Sequence, residues 1–301
     1  MNKKALFSSR DVSCVLSEHP DGTVHSVFDH SFNVRFNNRL VHIGSASNGR
    51  VPYGIGLSKY DLMSLLETIR VTNEVHWQRD QMQLIFPGTG ESVSLYESKK
   101  FDPFLPACVF DKAILKRNIS TAVAIMLEEE WEAGFEEDTD ALVEAVFSFS
   151  PWMAASPVLK TLNDLKAFLS GYSDVKGETL ITFWLGRGKG LTPSGDDLLV
   201  GALAMLTASG RCPEAFKNTL YDYLKLYGLE RTTQISFEYL WYAVQQKFAS
   251  HVTNVCQSLL RDDQDDIYQS VRELKKVGHT SSTDTMIGIL IGCQCIIGGN
   301  K

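Results

Sequence analysis

The sequence lacks the cysteine patterns of a metal or redox site. Its six cysteines are scattered over 301 residues, and none forms a Cys-x-x-Cys pair. A zinc ribbon or a thioredoxin-like site is therefore not indicated. Cys293 and Cys295 are two positions apart, which would place their side chains on different faces of a helix. We expect buried, free thiols in a reducing compartment.

The chain also lacks an excess of positive charge and a long apolar segment. Its net charge is −7 and its pI about 5.5, whereas nucleic-acid-binding proteins normally present a basic face. The longest apolar segment, 286–297, is too short to span a bilayer, and the basic N-terminus has no apolar stretch long enough for a signal peptide. These absences predict a cytoplasmic protein without nucleic-acid or membrane partners.

What is present is the composition of a globular protein, with 44% hydrophobic and 22% charged residues. A chain of this length is long enough for two domains. Residues 1–105 contain short β-prone runs separated by turn signals, which predicts a small β-barrel or sandwich. The predicted strands are 12–16, 23–28, 32–36, 40–43, 74–77, 82–86 and 92–96, with a hairpin turn at 37–38 and one helix at 59–69.

Residues 106–301 are predicted to form a mainly α-helical domain, so the fold class is α+β. The proline-containing segment 101–106 predicts a linker. Gly210 and Gly228 are interpreted as helix ends, and the acidic runs at 128–140 and 261–266 as solvated surface. Apolar residues recur at helical spacing in 112–134, 141–149, 159–169, 196–208, 213–227, 232–260 and 267–277.

The glycine-rich stretch 186–201 stands out in the helical part. It follows an apolar, β-prone run at 180–185 and precedes an apolar run at 198–206 that favours helix. Glycines let the backbone approach a ligand closely, and the first free N–H groups of a helix form an anion site. Ser194 or Asp196 is expected to cap this helix.

Charged side chains make this stretch more than a plain loop. Arg187 and Lys189 place positive charge beside the expected helix start. An ordinary glycine-rich loop with an N-cap is the alternative interpretation. The two adjacent carboxylates, Asp196 and Asp197, exceed what capping needs, and they favour a functional site.

The same pattern occurs again near the C-terminus. Each copy is a Gly-x-Thr-x-Ser-x-Asp loop that runs into an apolar helix, which suggests two loops facing one ligand. The second helix, predicted at 285–297, carries Gly288 and Gly292 at a spacing that lets another helix approach closely. The ungapped counterparts of Gly190, Thr192, Ser194 and Asp196 are Gly278, Thr280, Ser282 and Asp284.

A third hydroxyl-rich segment begins the helix predicted at 232–260. Thr232 or Thr233 is interpreted either as an ordinary N-cap or, with Ser236, as a third wall of the same site.

These three segments together resemble the AllH-type oxamate carbamoyltransferase subunits, formerly a domain of unknown function. The stretch 190–197, Gly-Leu-Thr-Pro-Ser-Gly-Asp-Asp, matches the hallmark of that family without change. The resemblance implies the conversion of oxalurate and phosphate to oxamate and carbamoyl phosphate in allantoin breakdown, part of purine catabolism. It also implies a heteromeric complex with two other kinds of subunit.

Classical transcarbamylases carry Ser-Thr-Arg-Thr-Arg and His-Pro-Leu-Gln segments, and neither occurs here. Carbamoyl transfer by this chain would therefore use a different fold.

The resemblance and the residues together predict a phosphate and carbamoyl site. Fixed N–H donors at two helix starts would stabilise the charge that grows on the carbonyl oxygen. Catalytic roles are predicted for Thr192, Ser194, Asp196 and Asp197, and Asp196→Asn is expected to abolish turnover without unfolding the protein. Substrate or phosphate binding is predicted for Arg187, Gly188, Lys189, Gly190, Gly195, Thr232, Thr233, Ser236, His279, Thr280, Ser281, Ser282 and Asp284.

Two other hypotheses remain open. Asp196, Asp197 and Asp284, with the neighbouring hydroxyls, are hard oxygen ligands of the kind that Mg²⁺ accepts, which would fit a magnesium-dependent hydrolase. Alternatively, the chain is a non-catalytic subunit whose loops bind a ligand or hold a partner. No cofactor other than magnesium is indicated.

Overall fold

A computed structural model describes residues 2–148, 156–172 and 175–298. The chain divides into two units, Met1–Pro103 and Phe104–Lys301. The first is built around a β-barrel and the second is helical, so the α+β fold class is confirmed.

Eight strands close the barrel of the first unit. Around the barrel they follow the order β5-β4-β3-β2-β6-β7-β8-β1, and β1 pairs back onto β5. This closure removes the free edges of the sheet. The strands are β1 (Asn2–Ser9), β2 (Asp21–Phe28), β3 (Ser31–Phe36), β4 (Arg39–Ser45), β5 (Gly54–Leu57), β6 (Glu74–Gln78), β7 (Gln83–Phe86) and β8 (Glu91–Ser94). A short β9 (Lys99–Phe101) pairs with the second half of β1.

The barrel interior is filled by alternate side chains of its strands, as in small closed barrels. Phe32, Val34 and Phe36 of β3, for example, are all fully buried in one core. Two helices, α1 (Arg10–Glu18) and α2 (Lys59–Thr68), contribute to the same core.

Six of the seven predicted strands and the helix at 59–69 are confirmed. The strand predicted at 12–16 is wrong, because these residues belong to α1. Val12, Val15 and Leu16 are buried at spacings of three and four, which is the pattern of a helix face. Strands β1, β5 and β9 were not predicted.

The second unit contains ten described helices. They are α3 (Lys112–Glu128), α4 (Thr139–Phe147), α5 (Pro157–Leu169), α6 (Gly177–Trp184), α7 (Ser194–Ala208), α8 (Glu214–Arg231), α9 (Gln234–Ala243), α10 (Ser250–Leu260), α11 (Gln264–Lys275) and α12 (Ser281–Gly298). The predicted helix 141–149 corresponds to α4, and its last residue lies outside the described residues.

Three sequence predictions in this unit are wrong. The β-prone run at 180–185 lies largely in α6, with its apolar side chains packed into the helical core. The helix predicted at 232–260 is two helices, α9 and α10, separated by a turn in which Gln246 has a φ of +63°. Gly228 does not end α8, because it lies inside that helix beneath the ring of Phe237.

Other predictions for this unit hold. Gly210 has a φ of +68° and follows the end of α7. The acidic residues of 128–140 and 261–266 are mostly exposed, and Asp263 caps α11. The segment 101–106 is only partly a linker, because Leu105 is buried and its N–H donates to the carbonyl of Gln246 at 2.9 Å.

The helices α7 and α12 pack against each other along glycines at the centre of this unit. A Cβ on Gly201 would lie 2.0 Å from the carbonyl oxygen of Thr285, and one on Gly288 would lie 2.0 Å from that of Leu198. Only glycine permits so close an approach of two backbones. The close helix contact predicted from Gly288 and Gly292 is therefore confirmed.

Helix α12 is long and apolar enough to cross a membrane by length and composition alone. However, 78% of this 18-residue segment is buried inside the protein. A helix that is apolar on all sides and covered by other helices is a core helix.

The six cysteines are all free, but the prediction of buried thiols holds only in part. Cys256, Cys293 and Cys295 are buried, whereas Cys14 is exposed. Cys108 and Cys212 are partly exposed.

Candidate functional site

The two loops of the repeated pattern meet at the N-terminal ends of α7 and α12. The hydroxyl oxygens of Thr192 and Ser281 lie 2.6 Å apart. The hydroxyl of Ser194 donates a hydrogen bond to the carboxylate of Asp284. Each loop therefore contacts the other through polar side chains, and the predicted convergence of the two loops is confirmed.

The first loop can adopt its path because of its glycines. Gly186 has a φ of +74°, and a Cβ there would lie 1.9 Å from the carbonyl oxygen of Arg231. Gly188 has a φ of +114°, and a Cβ there would lie 2.6 Å from the amide nitrogen of Ser194. A side chain at either position would push the loop away from the start of α7.

Asp196 lies at the base of the loop and is fully buried. It accepts hydrogen bonds from the amide of Gly186 at 2.8 Å, from the hydroxyl of Ser236 at 2.7 Å and from the hydroxyl of Thr232. Burial raises the pKa of Asp196, and these three donors oppose that rise. The carboxylate joins the loop, the end of α8 and the start of α9, which is a structural role.

The predicted third wall is therefore present, but its hydroxyl groups face protein atoms. The side chain of Thr233 caps α9 by accepting from the amide of Ser236, and its hydroxyl donates to the carbonyl of Leu191. Thr232 and Ser236 hold Asp196. These residues position the first loop.

Asp197 differs from its neighbour because one of its oxygens has no partner. The hydroxyls of Ser281 and Thr192, which bond to each other, also lie beside its carboxyl group and lower its pKa. Its Oδ2 atom is inaccessible to solvent and accepts no hydrogen bond from any described residue. Burial raises the pKa of Asp197 well above its ordinary value, and the charges of Asp284 and Asp196 raise it further.

Asp284 lies across from Asp197 at the start of α12. Burial raises the pKa of Asp284 to about 6, and hydrogen bonds from the amide of Gly134 and the hydroxyl of Ser194 oppose the rise. The Gly134 nitrogen is 3.0 Å from Oδ1 of Asp284. Gly134 belongs to the segment between α3 and α4, where no motif marks it in the sequence, and it was not predicted.

Three amides at the start of α7 are not free, in contrast to the expectation from the sequence. The N-cap is Pro193, so neither Ser194 nor Asp196 caps this helix. The amide of Gly195 donates to the carbonyl of Arg187 at 2.8 Å, and the amides of Asp196 and Asp197 donate to the carbonyl of Pro193. These three N–H groups are already satisfied and are not available to an anion.

Ser282 makes a similar internal contact in the second loop. It is buried, and its hydroxyl donates to the carbonyl of Gly278 at 2.8 Å, so it stabilises its own loop. Thr280 and Ser281 are partly exposed.

The rim of the site carries the predicted cationic side chains. Arg187, Gly188, Lys189, Gly190 and His279 are all exposed. The guanidinium of Arg187 lies over the ring of Phe183, 3.8 Å from its centroid, and its Nε donates to the Phe183 carbonyl. Arg187 is therefore held at the rim, while Lys189 extends from the same loop.

The predicted magnesium site is not formed. No group of three or more His, Cys, Asp or Glu side chains among residues 2–148, 156–172 and 175–298 could hold a metal ion. The carboxylates of Asp196 and Asp284 instead accept hydrogen bonds from peptide amides and hydroxyls.

Two protein-family models match the chain. Residues 4–98 match the AllH family N-terminal domain, and residues 184–293 match the oxamate carbamoyltransferase subunit AllH. The chain belongs to the AllH family. No solved structure matches it significantly.

The AllH match covers the part of the chain that builds the site. It begins at Trp184 and includes both loops as well as Thr232, Thr233 and Ser236. Gly134 lies outside both matched ranges. The family is named as a subunit of a carbamoyltransferase, which indicates a protein that acts in a multi-subunit complex.

Proposed function

We propose that this AllH chain carries the phosphate and carbamoyl site of a cytoplasmic, heteromeric oxamate carbamoyltransferase. The reaction converts oxalurate and phosphate to oxamate and carbamoyl phosphate, a step in allantoin and purine catabolism. The observation that supports this proposal is the convergence of the two loops around the unpartnered oxygen of Asp197.

The reaction requires two proton transfers, one to the leaving nitrogen and one from the attacking phosphate. A phosphate oxygen attacks the carbamoyl carbon of oxalurate, and the bond from that carbon to the oxamoyl nitrogen breaks. The nitrogen leaves as the amide of oxamate and takes up a proton, while the attacking phosphate loses one. A carboxyl group whose pKa is raised well above its ordinary value is suited to give the first proton and recover the second. Asp197 is the carboxyl with an oxygen that has no hydrogen-bond partner among the described residues, and the site has to open for substrate to reach that oxygen.

Hydroxyl and cationic side chains complete the site. Thr192 and Ser281 lie beside Asp197 and are partly exposed, so their hydroxyls can orient phosphate oxygens. Lys189 and Arg187 at the rim supply positive charge for an anionic substrate. This arrangement relies on side chains, because the amides of Gly195, Asp196 and Asp197 are already hydrogen-bonded.

Negative charge in the site has to be limited for phosphate to bind. Three carboxyl groups lie close enough that Asp284 and Asp196 both raise the pKa of Asp197. The raised pKa values of Asp197 and Asp284 favour the neutral forms of both groups, which reduces the repulsion that a phosphate dianion would meet. We therefore assign the acid–base role to Asp197, and not to Asp196, for which the sequence also predicted a catalytic role.

The test is the rate of carbamoyl phosphate formation by the chain assembled with its partner subunits. Asp197→Asn is expected to lower this rate by roughly 10²- to 10⁴-fold, because the amide has the same shape but cannot act as an acid. The matched control is Asp222→Asn on the exposed face of α8, which should leave the rate unchanged. Full activity of Asp197→Asn would exclude the proposed acid.

A second measurement separates a catalytic from a non-catalytic subunit. Titration calorimetry with inorganic phosphate should show binding to the wild-type complex and weaker binding to Lys189→Ala. Size-exclusion chromatography of the same variants should show unchanged assembly. The alternative is a non-catalytic subunit. It would be indicated if loop variants altered assembly while the rate per assembled complex stayed constant.

A further inference from the structure

A segment from outside the two loops lies directly on the site. We call residues 130–138, between α3 and α4, the cover segment. The amide of Gly134, in its middle, donates to both carboxylate oxygens of Asp284, at 3.0 and 3.3 Å. A Cβ on Gly134 would lie 2.4 Å from Oγ of Ser194 and 3.1 Å from Oγ1 of Thr280. The backbone at Gly134 therefore touches residues of both loops.

The cover segment hides the polar groups on which it lies. Ser194 is 2% exposed and Asp284 is 1% exposed. Gly134 occupies space beside these two side chains, and a ligand that takes its place there requires Gly134 to move away.

Among residues 2–148, 156–172 and 175–298, few contacts hold the middle of the cover segment in place. Besides the Gly134 hydrogen bond, the ring of Phe135 packs edge-on against Trp184, with centroids 5.7 Å apart. Glu132 and His279 form an ion pair at 3.9 Å, but both are exposed, and such pairs contribute little.

The ends of the cover segment are anchored more firmly. Trp131 is buried, and its amide donates to the carbonyl of Met126 at the end of α3. The amide of Ala133 donates to the hydroxyl of Thr139, the first residue of α4. Fixed ends and a lightly held middle are typical of segments that open without unfolding the rest of the protein.

We propose that the cover segment is a lid, and that the hydrogen bond between Gly134 and Asp284 is its latch. The lid opens to admit an anionic ligand to Ser194 and Asp284 and closes when the site is empty. The nature of the ligand rests on the proposed function, whereas the opening itself does not. Gly134 is thus a positioning residue that controls access to the paired loops.

The first test is hydrogen–deuterium exchange of the full chain. Gly134→Ala places a methyl group against Ser194 and should hold the lid open. We expect exchange in peptides that cover 130–138 to become at least tenfold faster, with cleavage by a glutamate-specific protease increased in the same segment. Phe135→Ala should have the same effect without touching the site residues, and it keeps the test valid if Gly134→Ala fails to fold.

The matched control is Gly88→Ala, because a Cβ at Gly88 meets no atom within 4 Å. Its exchange in 130–138 should equal that of the wild type. The proposal is overturned if both lid variants show the same hydrogen exchange and the same protease cleavage in 130–138 as the wild type.

The second test asks whether opening favours binding. If a closed lid competes with the ligand, the apparent affinity for inorganic phosphate rises when the closed fraction falls. Calorimetry should show phosphate binding several-fold more tightly to Phe135→Ala than to the wild type. Equal affinity would contradict a gating role. Faster exchange in a protein that binds no phosphate in any form would support the lid and refute the proposed ligand.

Discussion

The hydroxyl oxygens of Thr192 and Ser281 lie 2.6 Å apart, although 89 positions separate the two residues in the chain. These residues stand at the starts of α7 and α12, the two helices whose backbones meet at Gly201 and Gly288. The helix packing in the core therefore sets the distances between side chains in the site. Substitutions of the glycines in the helix contact and substitutions of the hydroxyl residues in the site should therefore have separately measurable effects on stability.

Gly288→Ala should strongly destabilise the helical unit. Its Cβ would lie 2.0 Å from the carbonyl oxygen of Leu198, a backbone atom that cannot turn aside. We expect the free energy of unfolding to fall by about 3 kcal/mol, the upper end for overpacking of a core. Urea denaturation measures this loss.

Gly298→Ala is the control for this prediction, because it lies in the same helix and a Cβ there meets no atom within 4 Å. Its stability should equal the wild type or exceed it by up to about 1 kcal/mol, the difference in helix propensity. Wild-type stability of Gly288→Ala would show that the two helices are not in such close contact.

The contact between the loops should appear as a coupling energy. Thr192→Val and Ser281→Ala each remove one hydroxyl of the pair, and the double variant should lose less stability than the sum. We expect a coupling of about 1 kcal/mol, the usual net contribution of one hydrogen bond. Urea denaturation of the four proteins gives this value.

A second cycle serves as the reference for the loop contact. Ser270 bonds to Ser258 and not to Thr192, so Thr192→Val and Ser270→Ala should be additive. Additivity in the Thr192–Ser281 cycle as well would mean that the two loops do not interact.

The sequence predicted the paired loops because their residue types and spacing are repeated without a gap. It also predicted the close helix contact, because glycines four positions apart have few other uses in an apolar helix. The run at 180–185 is β-prone in sequence because Phe183 and Trp184 are common in strands, while the burial of Trp184 on a helix face depends on neighbouring helices.

The different roles of Asp196 and Asp197 could not be predicted from the sequence either. Both are aspartates in the first turn of α7. They differ in the distant groups that reach them, since the amide of Gly186 and the hydroxyl of Ser236 donate to Asp196, whereas the hydroxyl of Ser281 lies beside Asp197. The contact of Gly134 with Asp284 likewise joins residues 150 positions apart. No local pattern encodes such pairings.

Asp284→Asn should change the dependence of stability on pH. The pKa of Asp284 is raised from 3.8 to about 6, so its ionisation above that pH weakens the folded state. In the wild type this group favours folding below pH 4 and loses that contribution as the pH rises through 6. Asparagine does not titrate, so the variant should gain about 3 kcal/mol relative to the wild type between pH 4 and pH 8.

The measurement for Asp284→Asn is urea denaturation of both proteins at pH 4, 6 and 8. The difference between variant and wild type is the quantity to compare, because all other titrating groups are shared. A difference that stays constant over this pH range would contradict the raised pKa of Asp284.

Ser236→Ala should destabilise the protein by acting on Asp196. The buried Asp196 carboxylate accepts from Ser236 at 2.7 Å, and no water can replace a donor at a fully buried position without a cavity. Loss of a donor to a buried charged group costs roughly 2 kcal/mol. Ser120→Ala, which removes an exposed hydroxyl on α3, should change stability by less than about 0.5 kcal/mol.

The Ser236→Ala variant also distinguishes the two aspartates. Because Asp196 holds the first loop in place, the variant should lower the melting temperature and the affinity for phosphate together. Asp197→Asn should lower the rate of carbamoyl transfer while the melting temperature is maintained or raised, since a carboxyl with a raised pKa gains from neutral replacement near pH 7. The two roles would be reversed if Ser236→Ala kept its melting temperature but lost carbamoyl transfer. Asp197→Asn would then be expected to have a lowered melting temperature.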